Sequence, residues 1–143
     1  MIIKSILKNK GDAVITLGVF ESVRDAMQLM TERHIAALVL TNGDNVVGVV
    51  SERDVLQAIS KGGATILNAS VGHILAGSLV TVSPEETIKR VMHLMTHSLI
   101  RHLPVMENGK LVGIVSVGDI VKYRLEELEL ESNVLRDLAV AVR

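Results

Sequence analysis

Gly48-Val49-Val50-Ser51-Glu52-Arg53-Asp54 returns 65 positions later as Gly113-Ile114-Val115-Ser116-Val117-Gly118-Asp119. Outward from this pair, Ile15–Val55 lies on Val80–Ile120 without a gap. About a third of the positions are identical, the mark of one structural unit present twice. In each copy an apolar run rich in β-branched residues ends in Ser-x-x-Asp. A duplicated strand with this ending predicts two equivalent polar sites about an approximate twofold axis.

Each copy reads as strand, helix, strand, strand, helix. In the second, Leu79–Val82 is a short strand. Ser83-Pro84-Glu85-Glu86 predicts a helix start, with Ser83 as N-cap, Pro in the first turn and Glu three residues after the cap. Ile88, Val91, Met92 and Met95 then follow on one helical face. Leu103–Met106 and Leu111–Val115 flank Glu107-Asn108-Gly109-Lys110 as a β-hairpin, and Ser116 and Asp119 open the last helix. The first copy matches, with Ile15–Leu17, a helix from about Glu21 to Arg33, Leu38–Thr41, a turn at Asn42-Gly43-Asp44-Asn45, Val46–Val50 and a helix from Glu52. Gly18-Val19 stands where the second copy has Ser-Pro, so the first copy's helix start is expected to be the softer.

The expected fold class is α/β (α+β): two pseudo-twofold β-α-β-β-α repeats forming one module. Repeat 1 is expected over residues 4–60, a linker containing Lys61-Gly62-Gly63 over 61–70, repeat 2 over 71–123 and a helical extension over 124–143. Ile6-Leu7 and Ile74-Leu75 precede the copies as helical turns that close each unit. The extension has no Pro or Gly and is expected as one long helix or a broken pair. Val121, Leu125, Leu128, Leu135 and Leu138 are its apolar positions, and Glu126, Glu127, Glu129 and Glu131 give it an acidic face.

The 143 residues suffice for a sizeable core, and 48% hydrophobic against 22% charged composition indicates a globular chain. With one Tyr, one Phe and no Trp, base stacking on aromatic platforms is ruled out as a binding mode. A net charge of −1 without a Lys/Arg run argues against a nucleic-acid partner. No apolar run approaches the roughly 20 residues a membrane span needs. Absent a signal-like leader, a cytoplasmic location is expected. The lack of Cys removes thiolate nucleophiles and Cys-type zinc sites. His93 and His97, four apart, fall opposite the apolar face and lack a carboxylate at matching spacing, so no metal is expected. No nucleophile–base set or phosphate loop stands out, and the chain reads as no enzyme, with no required cofactor.

The second copy's Val82-x-Pro84-x-x-Thr87-Ile88, Met92, Met95, Ile100-Arg101-His102-Leu103-Pro104-Val105 and Gly109–Asp119 resemble the cystathionine-β-synthase-type (CBS) domain family in its tandem form, the Bateman module. The first copy keeps Met27, Met30, Ile35, Gly48, Ser51 and Asp54, with Val39 where Pro is usual. The resemblance runs from about Lys4 to Tyr123 and is closest to small stand-alone bacterial members. It implies regulatory binding of adenosine-containing ligands (AMP, ADP, ATP, NADH or S-adenosylmethionine) in clefts between the repeats. It also implies a disc-like homodimer signalling to an unidentified protein effector.

An ionised Asp accepts hydrogen bonds at both oxygens and suits a ribose cis-diol, the role expected of Asp54 and Asp119. Ser51 and Ser116 stand at helix N-termini that favour anions. Gly48 and Gly113 leave room for close approach of backbone or ligand. Capping alone also explains Ser-x-x-Asp, and that alternative stays open. The family places residues of the opposite repeat in each cleft. The major cleft then gathers Ser51, Arg53, Asp54, Leu79, Val80, Ile100, Arg101 and His102, with Arg101 and His102 facing a phosphate. The second gathers Ile15, Ile35, Ala36, Ala37, Ser116 and Asp119, where two alanines replace the Arg-His pair and Lys122 or Arg124 stands in. Tighter binding of phosphorylated ligands is expected at Asp54. The competing reading is a dimeric interaction scaffold whose pockets bind no physiological nucleotide.

Overall fold

The computed structural model describes residues 1–11 and 13–141. The expected extension thus has its last two residues outside the described part. Element order is α1 (Ile3–Lys10), β1 (Thr16–Gly18), α2 (Val23–Arg33), β2 (Ala37–Asn42), β3 (Asn45–Ser51), α3 (Glu52–Gly62), two 3₁₀ turns (Ala64–Asn68, Val71–Ile74), α4 (Ile88–Ser98), β4 (His102–Glu107), β5 (Lys110–Ser116) and α5 (Val117–Ala141). The α+β duplication is present as expected, and α5 is one continuous helix.

Both hairpins turn on two residues. Asn42 pairs with Asn45 and Glu107 with Lys110. Asn108 and Gly109 have φ of 52° and 77°, the left-handed pair that matches the twist of a tight hairpin. Each hairpin also shifts register once, at Leu40/Thr41 and at Val105/Met106.

The opening strands differ. β1 runs parallel to β2 over three pairs, whereas the strand expected at Leu79–Val82 is reduced to one bridge, Val82 to Val105. The two prolines of the chain explain this. In the first repeat the Val39 N–H donates to the Ile15 carbonyl at 3.4 Å and the Val19 N–H to the Thr41 carbonyl at 2.9 Å. The corresponding donors in the second repeat are Pro104 and Pro84, which have no N–H. Only the rungs between remain, from Val82 to Pro104 at 3.1 Å and from Met106 to Val82 at 2.8 Å.

Pro84 therefore does not start a helix. α4 begins five residues after Ser83, capped by the Thr87 side chain, which accepts from the Arg90 N–H at 3.1 Å. Ser22 caps α2 in the same way at 3.0 Å, so the first copy's start is not softer. The Ser83–Glu86 backbone is used elsewhere. The Pro84 and Glu86 carbonyls accept from Lys4 and Ile3 at 2.9 Å, satisfying the first donors of α1, which a helix N-terminus leaves unpaired.

Each leader closes the other repeat rather than its own. Ile3 and Ile6 of α1 are buried in the core with Ile88, Val91, Leu103 and Val115. Val71, with Ile74 and Leu75 against it, belongs to the core of Val23, Met30, Leu38 and Val50. Burying each such aliphatic side chain stabilises by roughly 1.5–3 kcal/mol. Gly113 and Gly48 make this exchange possible. A Cβ on Gly113 would lie 2.6 Å from the Leu7 side chain, and one on Gly48 3.1 Å from Leu75. The glycines admit leucines from the exchanged leaders, and Gly48 also lines a cavity between the repeats.

Candidate functional site

At the end of β3 the chain turns directly into α3. Ser51 Oγ accepts from the Asp54 N–H at 3.3 Å, and Asp54 Oδ2 accepts from the Ser51 N–H at 2.8 Å and its hydroxyl at 3.0 Å. The capping box is complete. It commits one carboxylate oxygen and leaves Asp54 Oδ1 without a hydrogen-bond partner among the described residues. Capping and site formation are thus compatible in one side chain.

Asp54 lines a cavity of about 540 Å³ between the repeats, within the range of small-molecule sites. All eight residues expected for the major cleft, Ser51, Arg53, Asp54, Leu79, Val80, Ile100, Arg101 and His102, line this one space. Missing the Pro104 donor, the Leu79–Val80 segment is not drawn into the sheet and forms part of the wall. Leu99 stands at the rim, 87% exposed, with φ of 53°. A left-handed leucine held in contact with water places apolar surface at the mouth at a cost of about 1–2 kcal/mol.

His102 lies on β4 between the two corners. It lines the Asp54 cavity and pairs in register with Ser116. Burial and then the Lys10 charge push its pKa below the ordinary histidine value, with Arg101 adding to the effect. Asp119 and Asp54 pull in the opposite direction but do not prevail. The imidazole is therefore neutral near pH 7.

The second corner repeats the backbone geometry with different chemistry. The Ser116 N–H donates to Asp119 Oδ2 at 2.9 Å, and the Asp119 N–H donates to Ser116 Oγ at 3.1 Å. Here Lys10 Nζ also reaches Asp119 Oδ2 at 2.6 Å and the Ile114 carbonyl at 2.8 Å. Burial works against the charged carboxylate, but Lys10 and the Ser116 N–H outweigh it and hold the Asp119 pKa below its usual value.

Of the other expected members of the second cleft, Ile15 and Ile35 pack against the first core, Ala37 is buried, and Ala36 lines the Asp54 cavity. The cation at Asp119 is Lys10, while Arg124 bonds Glu127 on its own helix at 3.2 Å.

Sequence reading missed Lys10, Leu99 and the Leu75–Ser78 wall of the cavity. The equivalence of Lys10 and Ser78 shows only in the structure. Leu7 and Leu75 occupy equivalent slots against Gly113 and Gly48, so counting forward three residues aligns Lys10 with Ser78. Among the described residues no three His, Asp or Glu side chains form a metal cluster, and no helix is long and apolar enough to cross a membrane.

The mitochondrial CBS domain-containing protein CBSX3 of Arabidopsis thaliana is 34% identical over 134 residues, covering 87% of this chain and 65% of the relative, so the chain spans about two thirds of that protein. A CBS-domain containing protein from Agrobacterium tumefaciens superposes with a TM-score of 0.83 at 36% identity, over 87% of this chain and 99% of its own. A CBS domain protein from Pyrobaculum aerophilum, solved in complex with AMP, superposes at 0.77 with 28% identity, over 92% and 99% of the two chains. The family profile described as CBS domain matches twice, over residues 7–61 and 71–126. With the exchanged leaders and the paired Ser-x-x-Asp corners in place, the chain belongs to the CBS domain family as a tandem pair.

Proposed function

We propose that this tandem pair is a non-catalytic regulatory module that binds an adenine nucleotide, AMP foremost and ADP, ATP or NADH as alternatives, in the Asp54 cavity. The observation that carries the reading is the convergence of a carboxylate and the Arg101–His102 edge from opposite repeats on one space of about 540 Å³. Asp54 Oδ1 has two lone pairs and accepts both ribose hydroxyls, while Oδ2 stays with the cap. Leu79, Leu99 and Ile100 cover the base. Arg101 presents its planar fork to the phosphate, with His102 donating beside it and Arg53 at the edge. The AMP complex of the Pyrobaculum aerophilum relative supports the ligand class.

A nucleotide touching both repeats favours one relative orientation through its higher affinity for that arrangement. In this reading the module works as a cytoplasmic homodimer and passes the change to a protein effector. Thermal shift against AMP, ADP, ATP, NADH and S-adenosylmethionine tests it. At a hundredfold excess over Kd, binding stabilises the fold by about 2.7 kcal/mol. Asp54→Ala is expected to abolish that response while costing about 1 kcal/mol as a lost cap. No shift with any of the five would leave the scaffold reading in its place.

A further inference from the structure

His93 and His97 stand on the exposed side of α4, outside the nucleotide cavity. Their spacing of four makes them neighbours on one helical face, and the side-chain geometry adds more. The rings stack with centroids 3.8 Å apart at 27°, and His97 Nδ1 lies 3.0 Å from the His93 carbonyl oxygen. A carbonyl oxygen only accepts, so Nδ1 carries the proton and the neutral ring keeps its lone pair on Nε2. A backbone carbonyl behind one ring nitrogen is the support that metal-bound histidines have on the edge away from the ion. No hydrogen bond among the described residues holds the His93 ring, which leaves it free to turn a nitrogen toward the same point.

We propose that His93 and His97 together chelate one divalent transition-metal ion, with water in its remaining positions. The surroundings decide which ion. Thr87, Lys89, Arg90, Met92 and Thr96 line the shallow hollow around the two rings, and none of them is a carboxylate. Ca²⁺ and Mg²⁺, which take oxygen ligands, are not held there. Imidazole suits copper, nickel and zinc, and copper binds tightest. Lys89 opposes any cation, whereas the Arg90 charge is drawn off to Glu86 at 3.2 Å. With two protein ligands the ion keeps open positions, unlike a closed structural zinc site. α4 ends at Ser98, and Leu99 to His102 pass from its end into the Asp54 cavity. An ion spanning the last two turns braces the helix end that delivers them.

The test uses the untagged full chain without nucleotide, so its outcome is separate from that of the Asp54 cavity. Calorimetric titration with CuCl₂, NiCl₂ and ZnCl₂ is expected to give one ion per chain. His97→Ala is expected to weaken each at least tenfold, because the second bond of a chelate forms at high effective concentration. His97→Ala/Ser98→His keeps the five histidines but sets the pair five apart, about 140° round the helix. It is expected to bind no better than His97→Ala. Electron paramagnetic resonance of the copper form is expected to show two imidazole nitrogens in the wild type and one in each variant. Wild-type affinity no tighter than that of the displaced pair, or a single nitrogen on the wild-type copper, overturns the proposal.

Discussion

At the end of β3, Asp54 caps its own helix and lines an open cavity. At the end of β5, Asp119 makes the same cap and is held 2.6 Å from Lys10. The backbone corners are copies; the charges around them are not. Arg101–His102 shares the cavity of the first, and Lys10 of α1 sits on the second. The cation has moved from the opposite repeat to the leader, where it neutralises the carboxylate from its own side. Duplication preserved the fold-forming cap, while side chains outside the cap gave the two corners different electrostatics.

Substitutions that exchange those side chains test this contrast most directly. Arg101→Ala is expected to have the largest effect. Losing charge-assisted hydrogen bonds to phosphate costs about 2 kcal/mol, which weakens AMP about thirtyfold in calorimetric titration and leaves adenosine nearly unchanged. Equal losses for AMP and adenosine would remove Arg101 from the phosphate role. Next comes Ser78→Lys, which sets a lysine at the counterpart of Lys10. Pairing with Asp54 and filling the cavity, it is expected to weaken AMP about tenfold, and unaltered affinity would show that the two leaders are not equivalent at this point.

The caps sharpen the comparison on the fold side. Ser22→Ala and Thr87→Ala are each expected to destabilise by about 1 kcal/mol in denaturant unfolding, the same for both repeats. A marked inequality would revive the softer first helix expected from Gly18-Val19.

Titration has the smallest effect. His102 and Asp119 both have lowered folded-state pKa values. The unfolded chain therefore binds more protons than the folded one within each shift window, and stability rises with pH there. The His102 contribution is complete above about pH 6.5 and lost as pH falls through its folded value; that of Asp119 is complete above about pH 4 and lost below. Lys10→Met is expected to raise both pKa values in an NMR titration. With Lys10 34% and Asp119 23% exposed, stability should change by under about 1 kcal/mol. Unmoved His102 resonances would disconnect the leader from the cleft.

The repeat and both hairpins were readable because they rest on local pattern and on the register of a duplicated unit, whereas the meeting of Asp54 with Arg101 and His102 was expected only from the family resemblance. What stayed hidden depends on distant partners. Pro84 looks like a helix start in its own sequence. Only the pairing with β4 reveals that Pro84 and Pro104 delete the rungs on either side of Val82. Nothing near Lys10 announces Asp119, 109 positions away. The exchange of leaders was equally invisible, since Ile6-Leu7 and Ile74-Leu75 are apolar enough to fit either core.

That exchange sets an order of events during synthesis. The first core needs Val71, Ile74 and Leu75, so it is complete once the turn after α3 has left the ribosome. The second needs Ile3 and Ile6 together with Val115 and Ile120. Ile3 and Ile6 must therefore wait, uncovered, until nearly the whole pair has emerged, which makes α1 the segment of the pair most in need of chaperone shelter.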